Sequence, residues 1–254
     1  MRRFFISQHP TFGSFANPVS SLVEKSPYYF WWLALTLNED YVELCNNPNS
    51  KRFKTNFKLQ QIFKDFGDVR YEGSKHQAFC DWWNKEFNNT ETKGQYLFAE
   101  PLTVNSVMVV EDKETAINAV EDASSLLIRI PTNLKRTYID SGIERIFAKH
   151  ITFERGRQTR NPSRSNARYH LSKPIKVEAI KTAFNIYERT LLAERNNEKL
   201  TNLKLAEILN VKAVFKSKEV EDFEDETIRI IQKISRKKRE AKDAISNVIH
   251  GIFP

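Results

Sequence analysis

Apolar side chains recur at helical spacing through the first third of the chain. Ser26 and Pro27 are typical of a helix start, because serine caps free N–H groups and proline is tolerated in the first turn. The following run, 28–45, predicts one helix that is apolar nearly all round, as expected for a helix inside a core or an interface. Its most continuous stripe consists of Phe30, Leu33, Leu37, Tyr41 and Leu44.

Two further helices are predicted at 51–66 and 74–87, and the residues before Val23 predict an irregular arm that docks through its aromatic rings. The chain has four tryptophans, Trp31, Trp32, Trp82 and Trp83, and all of them lie in this region. Such rings either fill a helical core or form a platform on which bases or a flat ligand stack. Their helical spacing favours the core.

Between residues 102 and 151 the pattern changes. Closely spaced Val, Leu and Ile predict strands at 102–110 and 124–130, and Pro131 ends the second strand. A short helix is predicted at 113–122 between the strands, and a longer one at 134–151 after them. The sequence therefore predicts a small strand–helix–strand module in a mostly α chain, α+β overall.

The C-terminal part of the chain predicts three helices. The first begins at Pro174 and supports the second, a short apolar helix that Thr201 caps at its start and Asn210 ends. Asparagine suits this end because it tolerates the left-handed conformation. The third helix follows an acidic stretch at 219–226 and continues as far as His250. Its apolar seam contains Ile231, Ile234, Ala241, Ile245, Val248 and Ile252, with Lys238 as the one charge.

The segment 200–245 resembles the helix-turn-helix of DNA-binding proteins, in which a Thr-initiated helix with a small central residue ends in a turn and a Val. The resemblance implies a tri-helical domain whose last helix enters the major groove. It departs from the family pattern because residues 212–225 replace the usual short turn. We expect this insertion to be a loop, a short extra helix or a wing.

The polar side of the last helix carries the candidate DNA contacts. These are Gln232, Lys233, Arg236, Lys237 and Arg239. Arginine forks onto guanine and glutamine pairs with adenine, so Arg236, Arg239 and Gln232 are candidates for base contacts. The two lysines, Lys233 and Lys237, are expected to contact phosphates. The alternative is an ordinary solvated helix face.

Charge points to a second basic element. The chain has 254 residues, a hydrophobic content of 40% and a net charge of +8, which favours a folded protein with an anionic partner. Residues 145–176 contain nine basic side chains and one acid, an excess equal to the net charge of the whole chain. The candidate phosphate contacts in this segment are Arg155, Arg157, Arg160, Arg164 and Arg168. The alternative is a soluble linker.

Other functional classes have little support in the sequence. No apolar run approaches the ~20 residues of a membrane span, no phosphate loop or catalytic motif is present, and Cys45 and Cys80 are expected to be small core residues. The acids Asp65, Asp68 and Glu72 near Lys75 are a weak nuclease signal. We therefore expect no enzyme, cofactor, metal site or membrane association, and a cytoplasmic location.

These observations predict an organisation into residues 1–151, an aromatic helical and small α+β domain, 152–172, a basic connector, and 173–254, a helix-turn-helix-like domain. The predicted function is a DNA-binding protein, a sequence-specific transcriptional regulator or accessory factor that acts on duplex DNA. The alternative is a non-enzymatic structural subunit of a nucleoprotein assembly, with RNA as a further partner class. In that alternative the aromatic N-terminal region forms a homo-oligomer or protein interface.

Overall fold

Helices make up most of the computed structural model, which describes residues 4, 11–13, 17–88, 91–100, 109–121, 126–150, 162, 165–211 and 223–254. The mostly α class is confirmed. The chain divides into two compact units, Met1–Pro101 with Arg160–Pro254, and Leu102–Thr159. No helix in the described part of the chain is both long and apolar enough to cross a membrane.

The first unit contains nine of the α-helices found among the described residues and the one sheet found there. In chain order these elements are α1 (Ser20–Val23), α2 (Pro27–Leu37), α3 (Glu39–Asn46), α4 (Phe57–Phe66), α5 (Lys75–Asn84), β1 (Glu86–Asn88), β2 (Glu91–Thr92), α6 (Lys93–Phe98), and then, after the second unit, α9 (Val177–Arg195), α10 (Asn202–Ile208) and α11 (Phe223–Asn247). Short 3-10 turns at Lys51–Phe53 and Val248–His250 precede α4 and follow α11. Strands β1 and β2 pair antiparallel, with Glu86 opposite Thr92 and Asn88 opposite Glu91.

Helix α2 is the centre of the core. Every residue from Pro27 to Leu35 is buried, so the prediction of a helix that is apolar all round is confirmed. The prediction of a single helix over 28–45 is wrong, because Asn38 divides it into α2 and α3. The Asn38 amide oxygen accepts from the Tyr41 N–H at 2.9 Å, and its Nδ2 donates to the Ile245 carbonyl at 2.8 Å. A side chain that bonds to backbone in this way competes with the helix.

Two other predicted helices are shorter than expected. The run 51–66 forms a 3-10 turn followed by α4, which ends at Gly67 in a positive-φ conformation as its sequence indicates. The helix predicted at 74–87 starts after its cap Ser74 but ends at Asn84, and the following residues form β1.

The tryptophans fill this core. Trp31, Trp32 and Trp83 are exposed by 1% or less and Trp82 by 7%. Trp83 lies within 5.8 Å, between ring centroids, of Phe98, Phe4 and Phe12. The predicted docking of the N-terminal arm is therefore confirmed for Phe4 and Phe12, whereas Phe5 and Phe15 lie outside the described residues. The structural interpretation of the tryptophans is confirmed, and their rings do not form a surface platform. Cys45 and Cys80 are buried free thiols.

The C-terminal helices belong to the same unit as the N-terminal ones. Phe184 of α9 and Ala241 and Ile245 of α11 lie in the cluster that contains the tryptophans. Ile186 of α9 and Ile234 of α11 lie in a second, smaller cluster. Because α9 and α11 take part in both clusters, the structure does not separate residues 1–101 from 173–254 in the way that the predicted organisation does.

The second unit, Leu102–Thr159, contains α7 (Lys113–Glu121) and α8 (Arg136–His150). Both helices were predicted. Residues 126–130 have no regular secondary structure, so the strand predicted at 124–130 is wrong for the part that is described. Most of the strand predicted at 102–110 lies outside the described residues. The side chains of Leu126, Leu127 and Ile130 are between 43% and 47% exposed, which removes the burial that a core strand needs.

Candidate nucleic-acid interface

The short helix α10 begins and ends with the signals that its sequence carries. The Thr201 hydroxyl accepts from the Lys204 N–H at 3.3 Å, which confirms the predicted cap. Asn210 has a φ of 50°. The Asn210 N–H donates to Glu207 O at 3.1 Å and the Val211 N–H to Ala206 O at 2.8 Å. This pair of bonds is a Schellman motif, which satisfies the carbonyls at the end of the helix and turns the chain.

Helix α10 packs on α11 through small and branched apolar residues. Leu205 and Ala206 form a buried cluster with Ile186 of α9 and Ile234 of α11. The alanine at this contact lets the two helix backbones approach closely. Asn202 Nδ2 donates to Ser235 Oγ at 3.0 Å, which links the start of α10 to the middle of α11. The three predicted helices therefore share one contact region, and α11 is fixed in its rotation about its own axis.

The buried stripe of α11 differs from the predicted seam at its two ends. Ile234, Ala241, Ile245 and Val248 are buried as expected. Ile231 is 37% exposed and Ile252 is 48% exposed, so the prediction is wrong for these two residues. Ile230 instead packs against the second cluster, and the left-handed Gly251 ends the helical register before Ile252. Lys238 is half-buried, and burial lowers its pKa although Glu194 of α9 opposes the shift.

The predicted DNA contacts on α11 fall into two groups. Gln232, Arg236 and Arg239 are exposed, and helical periodicity places them within about 60° of one another on the solvent side. We call these three residues the α11 strip. The Arg236 side chain is 68% exposed and lies 3.7 Å from Glu240, between Nε and Oε1.

Lys233 and Lys237 lie on one side of the α11 strip, between it and the buried stripe, and are half-buried. Only 12% of the Lys237 side chain is exposed, and its ammonium group lies 2.5 Å from Glu240 Oε2. Two of the five predicted contacts are therefore less accessible than the other three.

Charge on α11 is concentrated in its middle. Residues 229–242 carry seven basic side chains and one acid, Glu240. Asp243 follows directly and is exposed. The positive part of the helix surface is thus about four turns long, because each turn contains ~3.6 residues. The major groove of B-DNA, about 12 Å wide, admits an α-helix.

Arg168 is placed differently from the strip. Its Nε donates to Asp65 Oδ2 at 2.8 Å and its Nη2 to Asp65 Oδ1 at 2.9 Å. Asp65 is 3% exposed, whereas 41% of the Arg168 side chain remains exposed. The guanidinium that the sequence predicted as a phosphate contact thus forms a bidentate ion pair within the chain. Arg155, Arg157, Arg160 and Arg164 lie outside the described residues.

Asp65 is a buried acceptor for three side chains. Besides Arg168, it accepts from the Tyr169 hydroxyl at 2.7 Å and from Gln61 Nε2 at 3.0 Å. Burial raises the pKa of the Asp65 carboxyl, but the hydrogen bonds outweigh burial and hold the pKa below its ordinary value. We call Asp65, Arg168 and Tyr169 the Asp65 clamp. It fastens the end of residues 155–168, which we call the Arg-rich segment, to α4.

Two of the three acids that gave a weak nuclease signal, and the lysine near them, form ion pairs with different partners. Asp65 belongs to the clamp, Asp68 pairs with Arg70, and Lys75 pairs with Glu188 at 2.9 Å. Among the described residues no group of three or more His, Cys, Asp or Glu side chains is arranged to hold a metal ion.

Asp65 is the functional-site residue that the sequence did not connect to the basic segment. It lies 103 positions before Arg168, and no local pattern signals their pairing. The exposed ring of Phe87 and its partner Tyr96 also escape prediction, because each stands alone in its own segment. The α11 strip, in contrast, follows from local periodicity. A comparison of this chain with protein-family models, curated proteins and solved structures finds no match.

Proposed function

We propose that α9, α10 and α11 form a DNA-binding domain, and that the protein is a sequence-specific regulator or accessory factor that acts on duplex DNA in the cytoplasm. One observation supports this most. The exposed α11 strip lies opposite a stripe, Ile234 to Ile245, that is buried against the neighbouring helices. A basic helix face held rigidly in this way can read base edges, whereas a freely rotating helix cannot.

The strip residues have separate roles in this proposal. Arg236 and Arg239 donate two hydrogen bonds each to guanine, and Gln232 pairs with adenine. Lys233 contacts phosphate at the edge of the groove. Lys237 adds positive charge beside this contact through the 12% of its side chain that is exposed. Binding is therefore expected to have a base-specific part from the strip and a salt-dependent part from the lysines.

The Arg-rich segment adds affinity without sequence preference. Arg155, Arg157, Arg160 and Arg164 bind the phosphate backbone, whereas Arg168 anchors the end of the segment through the Asp65 clamp. We thus assign Arg168 a positioning role and not a phosphate contact. No catalytic step and no cofactor belong to this function.

Duplex binding by the full chain tests the proposal. We expect fluorescence anisotropy to show salt-dependent binding to short duplexes. The double change Arg236→Ala with Arg239→Ala is expected to lower affinity for a preferred duplex by roughly 5- to 150-fold for each arginine–guanine pair that it removes. The double change Arg189→Ala with Arg195→Ala is the matched control, because it removes two exposed positive charges from α9 outside the strip.

Two results would contradict the proposal. One is a wild-type chain that does not bind duplex DNA at low salt. The other is an Arg236→Ala, Arg239→Ala variant that binds like the α9 double control. Salt-dependent binding without any preference among duplexes would instead favour the nucleoprotein-subunit alternative. In that alternative the contacts of an assembly would not use the tryptophans, since their side chains are buried in this chain.

A further inference from the structure

One large apolar side chain lies on the solvent side of α11, in line with the α11 strip. Ile228 is 51% exposed, whereas Ile230, two positions later, packs against the second cluster. Because each residue turns the helix by about 100°, Ile228 lies within about 40° of Gln232 and about 20° of Arg239 around the helix axis. Ile228 therefore belongs to the same surface as the α11 strip, one turn before Gln232.

The position of the Ile228 side chain is fixed in two ways. Ile234 and Ile245 are buried in the hydrophobic clusters, and helical periodicity places Ile228 about 100–120° away from both. The branched Cβ of isoleucine also restricts χ1 to one strongly preferred rotamer in a helix. Little conformational entropy is therefore lost when a partner packs on this side chain.

The surroundings of Ile228 make a protein partner a poor fit. The exposed side chains of the α11 strip, which follow it on this side of the helix, are all polar or basic. Ile231 is the next exposed apolar residue of α11, at 37%. Two isoleucines offer far less apolar area than the ~800 Å² per partner of a stable protein interface. The surface instead matches a small apolar group that lies among hydrogen-bonding and anionic groups.

The major groove of DNA contains an apolar group of this size. Base edges present hydrogen-bond donors and acceptors there, and thymine adds its C5-methyl group, which apolar side chains can contact. Ile228 and Gln232 are four residues apart, or ~6 Å along the helix axis, and consecutive base pairs are ~3.4 Å apart. The thymine is therefore expected within about two base pairs of the adenine that we assign to Gln232.

We propose that Ile228 reads a thymine by packing against its C5-methyl group, so that the preferred duplex contains this thymine beside the bases that the α11 strip reads. This inference rests on the proposed function, because it adds one base contact to the helix that enters the major groove. Ile228 determines specificity and carries no charge. Its contribution is therefore expected to change which bases are preferred and to leave the salt dependence of binding unchanged.

The test compares thymine with uracil, because uracil lacks only the C5-methyl group. Duplexes that the full chain enriches from a random pool are remade with uracil at one thymine at a time, and fluorescence anisotropy measures their affinity. We expect one replacement to weaken wild-type binding about fourfold, which corresponds to ~0.8 kcal/mol for one buried methyl group. Ile228→Ala withdraws the apolar surface to Cβ and is expected to bind the thymine and uracil forms of that duplex equally, with an unchanged salt slope.

Leu192→Ala is the matched control, because Leu192 is an apolar side chain of α9 with a similar exposure, 49%. This variant is expected to discriminate thymine from uracil as the wild type does.

The outcomes separate this inference from the proposed function. If the wild type enriches a motif but no thymine in it is sensitive to replacement by uracil, the inference is overturned and the proposed function stands. The inference is also overturned if Ile228→Ala keeps the discrimination that Leu192→Ala shows. If the wild type does not bind duplex DNA, or binds it without enriching a motif, both are overturned.

Discussion

Gly94→Ala is expected to destabilise the protein, although alanine forms helices better than glycine. Gly94 is buried near the start of α6. A Cβ atom at this position would lie 2.2 Å, 2.3 Å and 2.6 Å from the Cδ2, Cε2 and Cε3 atoms of Trp83. Ordinary contacts of a Cβ atom begin at 3.4 Å, so the ring or the helix must move by about 1 Å.

Trp83 has little room to move. It is 1% exposed and its ring contacts Phe4, Phe12, Tyr28, Phe79 and Phe98. Overpacking of this kind costs ~1–3 kcal/mol, and the enclosed ring places Gly94→Ala at the upper end of this range. The higher helix propensity of alanine offsets up to about 1 kcal/mol of this cost. The expected net loss of unfolding free energy is about 2 kcal/mol, or roughly 4–8 °C in melting temperature.

The assay is urea unfolding followed by tryptophan fluorescence and by circular dichroism. Gly142→Ala in α8 is the matched control, because no atom of the described residues lies within 4 Å of a Cβ atom at that position. This control is expected to gain up to ~1 kcal/mol of helix stability. A Gly94→Ala variant as stable as the wild type, with an unchanged near-ultraviolet spectrum, would refute the packing described around Trp83.

Three further predictions concern the core, the Asp65 clamp and the Arg-rich segment. Trp32→Ala is expected to lower the free energy of unfolding by ~3–5 kcal/mol, measured in urea, and unchanged stability with impaired nucleic-acid binding would contradict a structural role. Asp65→Asn is expected to lower the free energy of unfolding by about 2–3 kcal/mol at neutral pH, because it removes the buried negative charge that pairs with Arg168. The loss is moderate for a buried pair because Arg168 is partly exposed. The pKa of Asp65 is lower in the folded protein than in the unfolded chain. The ionised carboxylate therefore stabilises the fold fully above the unfolded pKa of ~3.9, and this stabilisation is lost as the pH falls through the folded pKa. The stability difference between wild type and Asp65→Asn should therefore narrow in acid, and a constant difference would contradict this account. The triple change of Arg157, Arg160 and Arg164 to Ala should weaken binding to all duplexes alike and reduce the salt slope by up to ~0.9 for each phosphate that is no longer neutralised, whereas a wild-type slope would mark the segment as a linker.

Local signals explain what could be predicted from the sequence. The Thr201 cap and the left-handed Asn210 depend on residues within a few positions of one another, and both are confirmed. The burial of the tryptophans follows from their helical spacing. The exposed side of α11 follows from the periodicity of Ile234, Ala241 and Ile245.

Non-local contacts explain what the sequence did not reveal. Asn38 interrupts an apolar helix because its amide reaches the carbonyl of Ile245, 207 positions away. The apolar residues at 126–130 have strand propensity, but their side chains are largely exposed, and propensity alone does not make a strand. The pairing of Arg168 with Asp65 is likewise non-local, because the two residues are 103 positions apart.

The packing of N-terminal and C-terminal helices in one core also depends on non-local contacts. Phe184 and Ile186 are two positions apart in α9, yet they enter different hydrophobic clusters. A periodic pattern shows that such residues are apolar, but it does not show which partner each side of the helix meets. For this reason residues 1–101 and 173–254 belong to one compact unit, although the predicted connector 152–172 does contain a division between units, at Thr159 and Arg160.

We propose that the α11 strip recognises bases, and selection from a pool of random duplexes tests this proposal most directly. The wild-type chain is expected to enrich a motif that contains guanines opposite Arg236 and Arg239. Arg236→Ala is expected to lose the preference at one or two base pairs and to keep its non-specific affinity, because the lysines and the Arg-rich segment remain. A wild-type selection that enriches no motif would contradict sequence-specific recognition by α11.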